Sequence, residues 1–207
     1  MRSRGRRRRP QPRPSIRPRR FAAVLVPSLA LGGVLAAAVG QGALAASFAV
    51  SGRDMKVSAD RIEGTGYVTY PSVARSADGT EHAVTVLAVK TARVRALCQS
   101  SVLDTPLGRY VLRLSAAPDG PPVRVSDLAL SATSIDADLG FTSLQLNRDA
   151  ASLDAVPGYS GAPGHYGIQA LGFAVTNVRV RSWSVFSSSI HVKGLRLAVG
   201  RDEAECF

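Results

Sequence analysis

From residue 46 onward the chain alternates apolar with polar or small residues. The runs Val123-Arg-Val-Ser-Asp-Leu-Ala-Leu130, Phe173-Ala-Val-Thr-Asn-Val-Arg-Val180 and Ile190-His-Val-Lys-Gly-Leu-Arg-Leu197 carry this period of two, as half-buried strands do. Helical spacing is scarce. Asp78-Gly79, the stretch Pro118 to Pro122 and the Gly-rich stretch Pro157 to Gly167 punctuate the runs, which predicts turns and one longer loop. The three runs also share a finer template: apolar, any, Val, polar, Gly/Asp/Asn, apolar, any, apolar. Weaker copies start at Phe48 and at Phe141. From Val123 to Phe141 is 18 residues and from Phe173 to Ile190 is 17, about one coil of a β-solenoid. The pattern therefore predicts an all-β domain, repetitive and elongated, solenoid-like or built on a curved sheet. A compact β-sandwich is the alternative, because its strands alternate in the same way.

Upstream of residue 46 the pattern is different. Met1 to Arg20 holds ten arginines and no acid, and Phe21 to Val39 holds no charge at all. Small residues Ala43 and Ala45 then precede Ala46, as at a signal-peptidase site. The chain thus divides into an Arg-rich cytoplasmic region (1–20), an apolar signal or anchor helix (21–45) and an exported all-β domain (46–207). Arginine on the cytoplasmic side of an apolar span sends the downstream chain across the membrane. The span exceeds an ordinary signal core and approaches bilayer thickness, so cleavage before Ala46 and retention as an anchor both stand. Pro27, Gly32 and Gly33 weaken it as a spanning helix and favour cleavage. Arg19-Arg20-Phe21 comes near a twin-arginine signal but lacks the residue between the pair and the Phe, which favours the unfolded export route.

The leader also explains the charge. The formal net charge is +11, and removing the ten leader arginines leaves about +1 on the domain. Nucleic acid is thereby disfavoured as a partner, since phosphate neutralisation needs cations on the folded surface. Cys98 and Cys206 are the two cysteines, both in the exported part, and an oxidising compartment predicts a disulfide tying the C-terminus to the run Val94, Ala96, Cys98. Two free buried thiols are the alternative. No cofactor is implied, and His82, His165 and His191 are scattered without a motif that marks a base or a metal ligand. Asp136 and Asp138 share a strand face without a third ligand of calcium-loop spacing. Tyr159, His165 and Tyr166 in the Gly-rich loop form a candidate contact surface for a protein partner. Trp183 and Phe186 differ in parity, so a regular strand would bury one and expose the other.

The segments Ala45-Ala-Ser-Phe-Ala-Val-Ser-Gly52, Lys56-Val-Ser-Ala-Asp-Arg-Ile-Glu-Gly-Thr-Gly-Tyr67, Leu97-Cys-Gln-Ser100 and Glu205-Cys-Phe207 resemble an uncharacterised family of exported actinobacterial proteins, a domain of unknown function. The resemblance implies export and a paired cysteine. Some members carry the label cholesterol esterase, but this chain has no Gly-x-Ser-x-Gly elbow, and Gly158-Tyr-Ser-Gly-Ala162 breaks it at the last position. Three functions are therefore expected in descending order. First is an exported envelope or secreted protein that binds or assembles, with an envelope protein or membrane partner. A carrier holding an apolar lipid in a groove comes second, and an esterase-type hydrolase third.

Overall fold

Alternating, Val-rich runs pay little to become extended and gain a buried face when paired. The computed structural model describes residues 52–207, so the leader, the apolar segment and the Ala43, Ala45, Ala46 site lie outside the described residues. Nine strands form: β1 (Met55–Arg75), β2 (Glu81–Arg95), β3 (Cys98–Thr105), β4 (Gly108–Ser115), β5 (Val123–Thr142), β6 (Gln145–Asp149), β7 (Tyr166–Phe186), β8 (Ser189–His191) and β9 (Arg196–Gly200). A single 3-10 turn, Ala150–Ser152, comes after β6. Among the described residues no helix is long and apolar enough to cross a membrane.

All strands belong to one antiparallel sheet, and its middle closes on itself. β1 pairs with β2, β2 with β5, β5 with β7, and β7 returns to β1. Ile62, for example, lies between Val94 of β2 and Val175 of β7. This overturns the solenoid expectation. A solenoid stacks successive coils in parallel, whereas here every neighbour is antiparallel and long strands curve round one shared core. The curved-sheet part of the expectation stands, in compact rather than elongated form. β3, β4 and β9 extend the sheet beyond β1 as a wing, ending on β9 as an edge strand.

Strands of 15 to 21 residues close a ring only if they bend, and the shared template supplies the bends. Its fifth position is Asp127, Asn177 or Gly194, with φ of 47°, 56° and 68°. Each adopts the left-handed conformation that Gly, Asn and Asp tolerate best. At each kink within β5 and β7 the in–out alternation slips by one residue. Val123 and Val125 point inward, Ser126 and Asp127 are passed over, and Leu128 and Leu130 point inward again. In β7 the inward positions run Phe173, Val175, then Val178, Val180. β1 slips at Gly66, at φ 65°. The register sets Gly66, Lys90 and Asp127 side by side across β1, β2 and β5, so those three strands turn together. Side chains secure the kinks: Ser188 Oγ donates to Asp127 at 2.7 Å, and Asn177 Nδ2 to Asp138 at 2.6 Å. The Ser-rich end of β7 has a matching purpose, since the Ser182 hydroxyl, fully buried, lies 2.9 Å from the Ser131 carbonyl beside a register shift.

Inside the ring, Tyr67 packs on Phe141 and Phe173 with ring centroids 4.9 and 5.9 Å apart. Phe173 lies across Gly64, where a Cβ would stand 2.6 Å from the ring, so only glycine fits beneath it. Burial of this cluster raises the Tyr67 phenol to about 12.

The kinks can be tested directly. Asn177→Val and Asp127→Val should each cost about 1–2 kcal/mol, because a β-branched residue resists the left-handed region, while the Gly versions stay within about 1 kcal/mol of the parent. Gly66→Ala should cost more than either Val change, since its Cβ would also meet the Ala155 carbonyl at 2.6 Å. Urea titration of each variant is the check. Equal losses for Val and Gly would show that the backbone conformation does not matter.

Candidate functional site

Cys98 opens β3 and is joined by a disulfide to Cys206, their Cα atoms 5.8 Å apart across 108 residues of sequence. The run Val94, Ala96, Cys98 is not one strand, however. Ala96 turns the chain at φ 52°, and Val94 stays in β2. Around the disulfide the C-terminal residues are clasped to the sheet. Lys56 Nζ sits 2.7 Å from Glu205 and donates to the Phe207 carbonyl at 2.7 Å, Arg109 reaches Glu205 at 3.0 Å, and the Cys206 N–H donates to Ser100 Oγ at 3.0 Å. The Lys56 hydrogen bond, helped by the charges of Lys56, Arg109 and Arg181, holds the Glu205 carboxyl below the usual glutamate range. A disulfide of this kind belongs to an oxidising compartment.

The candidate contact loop runs as a strap along the ring, part packed and part exposed. Ala150, Leu153 and Val156 lie on the outer face of the ring and bury Val68, Tyr70, Ala88 and Ala129. Tyr159 packs half-buried into the same cluster. Gly161 passes so close to Tyr70 that a Cβ would meet its ring at 2.9 Å. Asp149 fastens the strap by accepting from the Ala151 and Gly164 N–H groups, both at 2.9 Å, which lowers its pKa, Gly164 more than Ala151. The carbonyl of His165 accepts from Ala150 N, and Tyr166 begins β7, half exposed. Of the three predicted residues, then, only Tyr166 and the His165 side chain face solvent.

The other sequence candidates separate. A bulge lies between Asp136 and Asp138, and the Asp138 carboxylate is taken by Asn177. Among the described residues no group of three or more His, Cys, Asp or Glu is placed to hold a metal ion. Trp183 stacks on His82 at 3.7 Å, and Phe186 is exposed. No motif signals the 2.7 Å contact between Ser76 Oγ and His82 Nε2. Ser76 is buried in the β1–β2 turn, its N–H bonded to the Thr80 carbonyl and its own carbonyl to Gly79 N, so this pair locks a hairpin.

Hollows on the surface of the described residues differ in charge. One of about 310 Å³ contains Arg53, Lys56, Arg109 and Arg181, each facing an acid: Asp104, Glu205, Glu205 and Asp54 respectively. A second, about 570 Å³, holds Asp60, Asp136 and Asp138 with Arg179. The third, about 600 Å³, is lined by Arg93, Arg124, His191, Lys193 and the prolines 121 and 122, with no acid. A smaller hollow that shares Arg93 and Pro122 with it bears Arg61, Glu63 and Arg95. The strand register puts Arg93 opposite Arg124, Arg124 opposite His191, and Arg61 opposite Arg95. Glu63, the acid in this stripe, is held by Arg61.

The clasp predicts a pH-dependent stability. Because Glu205 is more acidic folded than unfolded, it stabilises the fold above the ordinary glutamate range, and that contribution disappears as pH falls through it. Glu205→Gln should lose about 1 kcal/mol at pH 7, and the gap should close on acidification. Reducing the disulfide should cost about 3–5 kcal/mol for a loop of this length. Denaturant unfolding from pH 7 to pH 3 checks both, and a gap that stays constant with pH would exclude the clasp's ionic part.

No curated protein and no solved structure matches the chain. A family model does, over residues 51–207, the whole of the described strand architecture. The chain belongs to that family, DUF6230, a family of unknown function.

Proposed function

We propose that this is an exported protein, secreted or held at the cell envelope, that works by binding through its outer surface and not by catalysis. The observation that carries this is the filled ring. Tyr67, Phe141 and Phe173 occupy the space where a carrier of this shape would hold an apolar ligand, while the hollows that remain are charged and face solvent. The disulfide supports export, and so does the arginine-rich leader with its Ala43-Leu44-Ala45 site ahead of Ala46. A hydrolase would need an exposed nucleophile with a base and an orienting acid. Ser160 is exposed but has no histidine bonded to it, and Ser76 has one but is buried.

The test is turnover together with apolar binding. Purified, disulfide-bonded protein should hydrolyse simple and cholesteryl esters no faster than a Ser76→Ala, Ser160→Ala double variant, and should not displace an apolar fluorescent probe from solution stoichiometrically. Losing an oxyanion donor alone costs an enzyme about 10²–10³ in rate, so genuine catalysis would be plain. Hydrolysis by the parent that is abolished in the double variant would establish an esterase. Saturable one-to-one lipid uptake would establish a carrier.

A further inference from the structure

We propose that the basic groove is a binding site for an extended polyanion carrying repeated phosphate groups, laid across β2, β5 and β8. Like charges placed directly opposite across a sheet destabilise it, and two such arginine pairs occur here, Arg93 with Arg124 and Arg61 with Arg95, with His191 opposite Arg124 on the next strand. Among the described residues, Arg95, Arg124 and Lys193 make no ion pair, and Arg93 makes none either although Glu63, held by Arg61, stands opposite it on β1; the cations of the 310 Å³ hollow are paired. The domain as a whole is nearly neutral, so the excess is local to this stripe. Unpaired, closely spaced arginines lower the free energy only when an anion arrives, and a guanidinium's planar fork suits the oxygens of phosphate.

The spacing points to several anionic groups. Arg93, Arg124 and His191 lie on adjacent strands and span about 10 Å, and Arg95 is two residues along β2, about 7 Å from Arg93. A lone phosphate cannot engage them all. The site is also a hollow, with Pro121, Pro122, Val192 and Lys193 lining it beside the arginines. A flat bilayer cannot enter such a hollow, but a single chain can.

This ligand class rests on the binding function proposed above, and the two fail separately, because turnover refutes the first and a polyphosphate titration refutes only the second. Protein recovered from exporting cells, disulfide intact, is titrated with short-chain inorganic polyphosphate over a series of salt concentrations. Binding should weaken linearly in log–log form. Arg93→Gln with Arg124→Gln should lower affinity at least 10-fold and flatten the salt slope by about 1.4, roughly 0.7 per lost contact. The same double variant should melt no lower than the parent, since the Arg93–Arg124 repulsion is relieved. Arg75→Gln, at the far end of β1 and paired with Glu81, should leave the slope unchanged. Any of four results overturns the proposal: no binding, equal loss in the Arg75 variant, competition by inorganic phosphate at equal phosphate concentration, or binding of phosphatidylglycerol vesicles that depends on Arg93 and Arg124 while polyphosphate does not bind.

Discussion

Everything in this domain depends on a few residues that can hold the left-handed backbone conformation within long strands. An antiparallel pair of 20-residue strands, left regular, would project far beyond any core that 156 residues can build. Kinks at Gly66, Asp127 and Asn177 let the strands curve, so that β1 meets both β2 and β7 and the sheet closes. Closure removes the edges of the four long strands in the middle of the sheet, which protects them from pairing with other chains. It also fixes what lies inside, because each kink shifts the inward face by one residue. Without those shifts Val178 and Val180 would face water and Arg179 would face the core.

The same positions explain what can be read from the chain. Period-two alternation revealed β5 and β7, since burial of one face leaves that mark directly, but it did not single out β2, and the run Ile190–Leu197 divides into β8, a turn at Gly194 and the start of β9. The eight-residue template was also visible, yet it was interpretable in two ways. A turn residue at a fixed offset between two apolar pairs marks the corner of a solenoid coil, and it equally marks a bulge in a bent strand. What separates them is the partner of each strand, a long-range property that no local pattern contains. The strap was hidden for a similar reason. Gly158 to Gly167 reads as a mobile loop because glycine is permissive, but Gly161 is small so that the loop can lie against Tyr70. The basic stripe was hidden because Arg93, Arg124 and His191 are far apart in sequence and meet only through the register.

Charge is organised in two ways on this surface. Around the C-terminus, acids and bases are matched, and together with the disulfide they hold the last residues on β1, β3 and β4. Along β2 and β5 they are segregated, with Arg93, Arg95 and Arg124 collected beside His191 of β8. Matched charges contribute to stability and unmatched ones do not, which is why the clasp is assigned to the fold and the groove is proposed as the binding surface. A packed interior agrees with this proposal, because it leaves the outside of the ring as the surface open to a ligand.

The closed ring is the central claim, and backbone NOEs in the folded protein measure it most directly. Cross-strand contacts should be found together at all four seams, including Ile62 with Val94 and with Val175, and Leu130 with Leu87 and with Val185. Amides from residues 61 to 69 should resist hydrogen exchange on both sides of β1. If the β1–β7 contacts are absent and the β1 amides facing β7 exchange freely, the sheet is open and this account of the fold is wrong.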